Sequence, residues 1–167
     1  MKSDVIKFLK ATNNYRDIDS KETFFEEVGK LIPLLQEEVD ELKESYQLQY
    51  VQGVLDDVVD IEVYLIQLQS LLERVGCNLL AARASVAENN SIKYTTSGML
   101  AMRWLNEHST QYKALKQENP FYISTVEYEG EMYYCLKRKS DDKVSKWCGF
   151  PKVSLDEYTP KEFGGNL

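Results

Sequence analysis

From about Gln47 to Val75 the chain carries a long helical pattern, apolar over much of its girth, in which Val54, Ile61, Tyr64 and Leu68 recur at spacings that wind onto one stripe. Such a helix is unstable alone in water, so it must be buried in a bundle or across a subunit interface. Asp57 falls inside that stripe, between Val54 and Ile61. Gly76 ends the pattern. With 8 Gly and 4 Pro in 167 residues, the composition also favours helices over a strand-rich fold.

Further helical signals surround this segment. Ser3 or Asp4 can cap a short first helix carrying Val5, Ile6, Phe8 and Leu9, stopped by Asn13 and Asn14. Asp19, with Glu22 in the capping-box position, can open a second helix running to about Ser45, with a kink or restart expected near Ile32 because Pro33 lies inside it. A fourth helix is expected over Leu79 to Glu88 and a fifth from about Ser97 to Lys116. After Asn119-Pro120 the period changes to two. Tyr122, Ser124, Val126 and Tyr128 then share one strand face, Ile123 and Thr125 the other. Glu129-Gly130 turns the chain into a second strand of about Met132 to Lys139, and Ser140-Asp141-Asp142 turns it toward a third near Val144 to Trp147. The expected fold is mainly α, an antiparallel helix bundle over residues 1–119 with a small C-terminal antiparallel β appendage over 120–167. The closing Gly164-Gly165-Asn166-Leu167 is expected to fray.

The second helix raises a chemical question, because Gln36 to Leu42 reads QEEVDEL. Wound at helical pitch, Asp40 and Glu44 point away from the Leu31, Leu35, Val39 and Leu42 stripe and read as solvated. Glu37, Glu38 and Glu41 share one flank, and Glu38 lies nearest the apolar residues. On the next helix Asp60 edges the stripe that holds Asp57. Two helices joined by a short connection are antiparallel neighbours, so Glu38 and Glu41 can face Asp57 and Asp60. Between Leu31 and Leu72 the only basic side chain is Lys43, on the far face. Burying carboxylates without partners is costly, so acids gathered in this way call for cations. Four convergent carboxylates make a hard oxygen site, suited to Mg²⁺ or Mn²⁺ rather than Zn²⁺. The competing reading is a solvated or salt-bridged acidic face on a helical interaction protein.

Composition removes other classes. A formal net charge of −7 argues against nucleic acid or an anionic membrane as main partner. No apolar run is long enough to span a membrane. Cys77, Cys135 and Cys148 have no C-x-x-C spacing and no signal core precedes them, which points to reduced thiols in a cytoplasmic setting. They read as buried or incidental. Lys137, Arg138 and Lys139 read as a solvated strand end, and Tyr122, Tyr128, Tyr133 and Tyr134 as sheet packing.

Glu37-Glu38-Val39-Asp40-Glu41 matches E-E-x-x-E, and Asp57-Val58-Val59-Asp60 resembles the E-x-x-D that follows it in the all-α nucleoside triphosphate pyrophosphatases, which include the MazG proteins, the dimeric dUTPases and phosphoribosyl-ATP pyrophosphohydrolase. Asp57 departs from the usual Glu by one methylene. Val86 to Tyr94 is similar to a V-x-x-x-N-x-x-K-[FY] segment of some members, with Asn90 and Lys93 at the polar positions. The resemblance implies hydrolysis of a (deoxy)nucleoside triphosphate to the monophosphate and pyrophosphate. Glu38, Glu41, Asp57 and Asp60 would be the metal ligands, Glu37 the general base, and Asn90 and Lys93 the nucleotide contacts. A homodimer or homotetramer is expected. The alternative it leaves open is a protein that binds or sequesters nucleotide with little turnover.

Overall fold

The computed structural model describes residues 1–147 and 149–163. Cys148 and the closing segment 164–167 lie outside the described residues, with the expectations made for them. The fold is mainly α with a small antiparallel sheet toward the C-terminus, as the sequence pattern predicts. Five helices, α1 (Lys2–Ala11), α2 (Lys21–Gln47), α3 (Val51–Arg74), α4 (Leu79–Ser91) and α5 (Gly98–Ala114), alternate late in the chain with β1 (Tyr94–Thr95), β2 (Phe121–Tyr128) and β3 (Glu131–Arg138). None of the helices is long and apolar enough to cross a membrane, among the described residues.

Two compact units result, and their limits differ from a division at residue 119. Met1–Ala81 joins with Leu155–Leu167 to form the first, and Ala82–Ser154 forms the second. The change from helix to strand at Asn119-Pro120 is a change of local geometry, not of packing, because α5 lies against the sheet that follows it.

In the first unit α2 packs along α3, and α1 against α3. The core is Phe24 and Leu31 of α2 with Leu71 and Val75 at the end of α3, and Ile18, Val28, Leu68 and Phe163 close around it. Residues after Leu155 therefore return to the helices and do not extend a β appendage. The rings of Phe163 and Phe24 meet edge-on at 6.0 Å, and the Asn78 amide donates to the Tyr158 carbonyl at 2.9 Å. Ser20, not Asp19, caps α2: its hydroxyl accepts from the Thr23 amide at 3.1 Å, while Asp19 accepts from the Thr23 hydroxyl at 2.8 Å. The N-cap of α1 is Met1, so neither Ser3 nor Asp4 fills that role, and Asp4 pairs with the terminal ammonium at 2.9 Å. No restart occurs at Pro33, since α2 is continuous across it. The carbonyl deprived of its partner there belongs to Gly29, the residue four back.

In the second unit the strand order is β1-β3-β2, all antiparallel. The Glu129-Gly130 turn has both central residues at positive φ, 51° and 78°, the type I′ geometry that suits a two-residue hairpin. The third strand expected after Asp142 is a single bridge, Val144 to Lys137. Its place beside β3 is taken by β1, a two-residue strand that period-two patterning is too short to reveal. Residues of α5 pack on β2 and β3, where Ala101, Trp104 and His108 are buried and Leu136 of β3 is 1% exposed. Trp104 and Trp147 stack with centroids 5.8 Å apart. His108 is a core residue whose Nε2 donates to the Lys146 carbonyl at 3.0 Å.

Candidate functional site

The three residues Leu48 to Tyr50 connect α2 to α3, with Gln49 at φ 53°. The helices leave this turn in close approach: a Cβ at Gly53 would lie 2.5 Å from Ser45 Oγ and 2.5 Å from a ring carbon of Tyr50. Equal steps back from the contact of 45 with 53 bring Glu41 level with Asp57 and Glu38 level with Asp60. The electrostatics agree with that register. Burial first, and then the negative charges of Asp60, Glu41, Glu37 and Asp57, hold the Glu38 carboxyl above the usual glutamate range. Glu38 thus stands at the centre of the group that the sequence pattern predicts.

Around it the acids differ in setting. Asp57 is 7% exposed, and its Oδ2 has no hydrogen-bond partner among the described residues. Glu38 is half-buried, while Glu37, Glu41 and Asp60 are exposed. None of them makes an ion pair among the described residues. Lys43, as its helical position requires, turns instead to Asp40 at 2.6 Å. Tyr64 lies one turn beyond Asp60 on α3. Burial and the charges of Glu38, Asp60 and Glu37 push its phenol above the ordinary tyrosine range.

A buried carboxylate oxygen without a donor, in a group of acids with no basic partner, fits a divalent cation held by oxygen ligands. As they stand, however, among the described residues no three His, Cys, Asp or Glu side chains are close enough to chelate an ion. Mutual repulsion keeps such carboxylates apart unless a counter-charge draws them in.

A cavity of about 680 Å³ opens beside the acids, with Asp60 and Tyr64 on its wall. It is also lined by Arg16, Lys30 and Arg74, which sequence reasoning passed over. Lys30 holds Glu27 at 2.5 Å, Arg16 reaches Glu26 at 2.9 Å and Glu27 at 3.6 Å, and Arg74 lies over the Tyr15 ring at 4.1 Å while donating to the Arg16 carbonyl. One of these was visible in advance. Lys30 precedes Glu37 by two helical turns and so shares its flank; Arg16 and Arg74 come from a loop and a helix end, where no periodicity points. Acids and cations therefore flank a single concavity within this unit.

Asn90 and Lys93 belong to residues 82–154 and line a different cavity, of about 630 Å³, with sheet residues. Of the three cysteines, Cys77 and Cys135 are half-buried thiols that burial pushes up, consistent with unreactive packing. Compared with protein-family models, curated proteins and solved structures, the chain has no significant match.

Proposed function

We propose that this protein hydrolyses a (deoxy)nucleoside triphosphate to the monophosphate and pyrophosphate, with Mg²⁺ as its working ion and Mn²⁺ as a possible substitute. The observation that carries the reading is the buried Asp57 Oδ2, without a hydrogen-bond partner among the described residues, in an acidic group that spans α2 and α3, surrounds Glu38 and makes no ion pair among those residues. Glu38, Glu41, Asp57 and Asp60 would hold the ion. When bound, it neutralises phosphate oxygens and makes a water more acidic.

The chain's own residues supply the rest. Glu37, exposed and close enough to raise both Glu38 and Tyr64, orients a water and takes its proton as the water oxygen bonds to the α-phosphorus. The bond from that phosphorus to the bridging oxygen breaks, and pyrophosphate leaves with the electron pair. Lys30, Arg16 and Arg74 offer positive charge to the polyphosphate in the adjoining cavity. The resemblance also implies nucleotide contacts at Asn90 and Lys93, which line the separate cavity of residues 82–154. Leu55, Val58, Val59 and Leu65 are exposed apolar residues of α3, which supports assembly as a homodimer or homotetramer.

Pyrophosphate release measured over a panel of nucleoside triphosphates with Mg²⁺ tests the proposal. Release by the wild type that is lost in Glu38→Gln supports it; binding with no release from any nucleotide sinks it. A second reading, nucleotide binding without turnover, is favoured by the shorter Asp57 side chain where the resembled family carries Glu. It predicts that same binding without release.

A further inference from the structure

Residues 82–154 carry more basic than acidic side chains, in a chain whose net charge is −7. Within that unit the sheet has a covered face and an open one. The β2–β3 register places Tyr122, Ser124, Val126 and Tyr128 across from Lys137, Cys135, Tyr133 and Glu131, on the face opposite the buried Leu136, and β1 adds Tyr94 beside Cys135. Tyr134, on the other face, packs by Gly98 of α5, where a Cβ would meet its ring at 3.2 Å. Sheet packing therefore explains Tyr134 but not the tyrosines of the open face.

Those rings form a platform. Tyr94 and Tyr133 meet edge-on with centroids 5.6 Å apart, and Tyr128 lies 6.5 Å from Tyr133. They wall the cavity of about 630 Å³ that also holds Asn90, Lys93 and Lys137. Both lysines are half-buried, and neither makes an ion pair among the described residues, although the neighbouring Arg138 and Lys139 pair with Asp141 and Glu118. A partly desolvated ammonium without a counter-charge favours an anion, and exposed aromatic faces favour a flat π-system. The cavity's size matches a small molecule. A nucleic-acid strand would need a longer basic track. Here the far end of the platform carries Glu131, whose carboxylate accepts from the Tyr133 hydroxyl at 3.0 Å and would repel a second phosphate along the strand.

We propose that the open face of this sheet binds a nucleoside monophosphate, with its base on Tyr133, Tyr94 and Tyr128, its phosphate at Lys93 and Lys137, and Asn90 at the base or sugar edge. The proposal rests on the reading above only for the nucleotide role of Asn90 and Lys93, and is tested where hydrolysis cannot act. The full chain in EDTA is titrated calorimetrically with a purine and a pyrimidine nucleoside 5′-monophosphate, inorganic phosphate and a short single-stranded oligonucleotide.

Saturable binding of a monophosphate is expected, weakened about tenfold or more in Tyr133→Leu and in Lys137→Gln, and kept within about twofold in Tyr133→Phe, which retains the ring. Matching circular dichroism melts establish that the variants fold. The proposal is overturned by any of four results: no monophosphate binding in EDTA, equal affinity for inorganic phosphate, tighter binding of the oligonucleotide, or wild-type affinity in Tyr133→Leu. Monophosphate binding that persists in a chain releasing no pyrophosphate supports it, and isolates the failure in the hydrolytic reading.

Discussion

The helical unit and the sheet unit present the same physical problem with opposite sign. In the first, Glu38 and Asp57 are withdrawn from water among other acids, and Asp57 Oδ2 finds no donor among the described residues. In the second, Lys93 and Lys137 are half-buried beside tyrosines with no carboxylate paired to them among the described residues. Lys30 and Arg138 show the contrast, pairing with Glu27 and Asp141. Each unit thus gathers partly desolvated charge of one sign beside a cavity, and each group suits a ligand of the opposite sign: a divalent cation in the helices, an anion with an aromatic ring on the sheet.

The largest expected effect separates the two units. Glu37→Gln should lower the rate of pyrophosphate release by about 10²- to 10⁴-fold, the usual worth of a positioned general base, while monophosphate binding in EDTA is unchanged. A parallel loss of both would merge what the comparison keeps apart. The mirror experiment is Leu136→Ala, which truncates the largest fully buried side chain of the sheet unit and should cost about 2–5 kcal/mol in chemical denaturation, weakening monophosphate binding as the platform loosens. A Mg²⁺-induced rise in melting temperature should survive in that variant and vanish in Asp57→Asn.

pH sharpens the contrast further. The Glu38 carboxyl is held above its ordinary value of 4.5, so the folded state binds this proton more tightly than the unfolded chain does. Its contribution in the absence of metal is therefore most favourable below that ordinary value and is lost as pH rises through the raised one. Melting temperature followed against pH in EDTA should show that decline, and Glu38→Gln should remove it. The smallest effects are at the helix entries. Ser20→Ala in α2 and Ser97→Ala in α5 each delete a hydroxyl that accepts from a first-turn amide, and each should cost about 1 kcal/mol in denaturant midpoints. Equal losses would show that local capping is indifferent to the chemistry that divides the units.

Legibility from sequence followed the range of the interactions. The helices, the Glu129-Gly130 turn and the alternation of β2 are set by neighbours a few residues apart, and each could be read directly. So could the flank shared by Glu37, Glu38 and Glu41, and the intrusion of Asp57 into an apolar stripe. The facing of those acids across α2 and α3 followed because a three-residue connection leaves two helices little alternative to antiparallel packing. The choice of Ser20 over Asp19 as cap, and Pro33 inside an unbroken helix, were harder. Adjacent capping residues differ by tenths of a kcal/mol, and packing along α3 can offset a lost helical hydrogen bond.

By itself, then, the sequence determined that this protein is mainly helical with a late antiparallel hairpin, and that two successive helices carry an acidic group unmatched by bases. Periodicity and charge are local properties and survive without coordinates. Only the tertiary structure decided that α5 belongs with the strands, that residues after Leu155 return to the helices through Phe163, and that β1 joins the sheet edge. It also brought Arg16, Lys30 and Arg74 to one cavity, and set Lys93 and Lys137 among tyrosines on an open face. Those juxtapositions join residues tens of positions apart, and the burial that holds them depends on the whole packed chain.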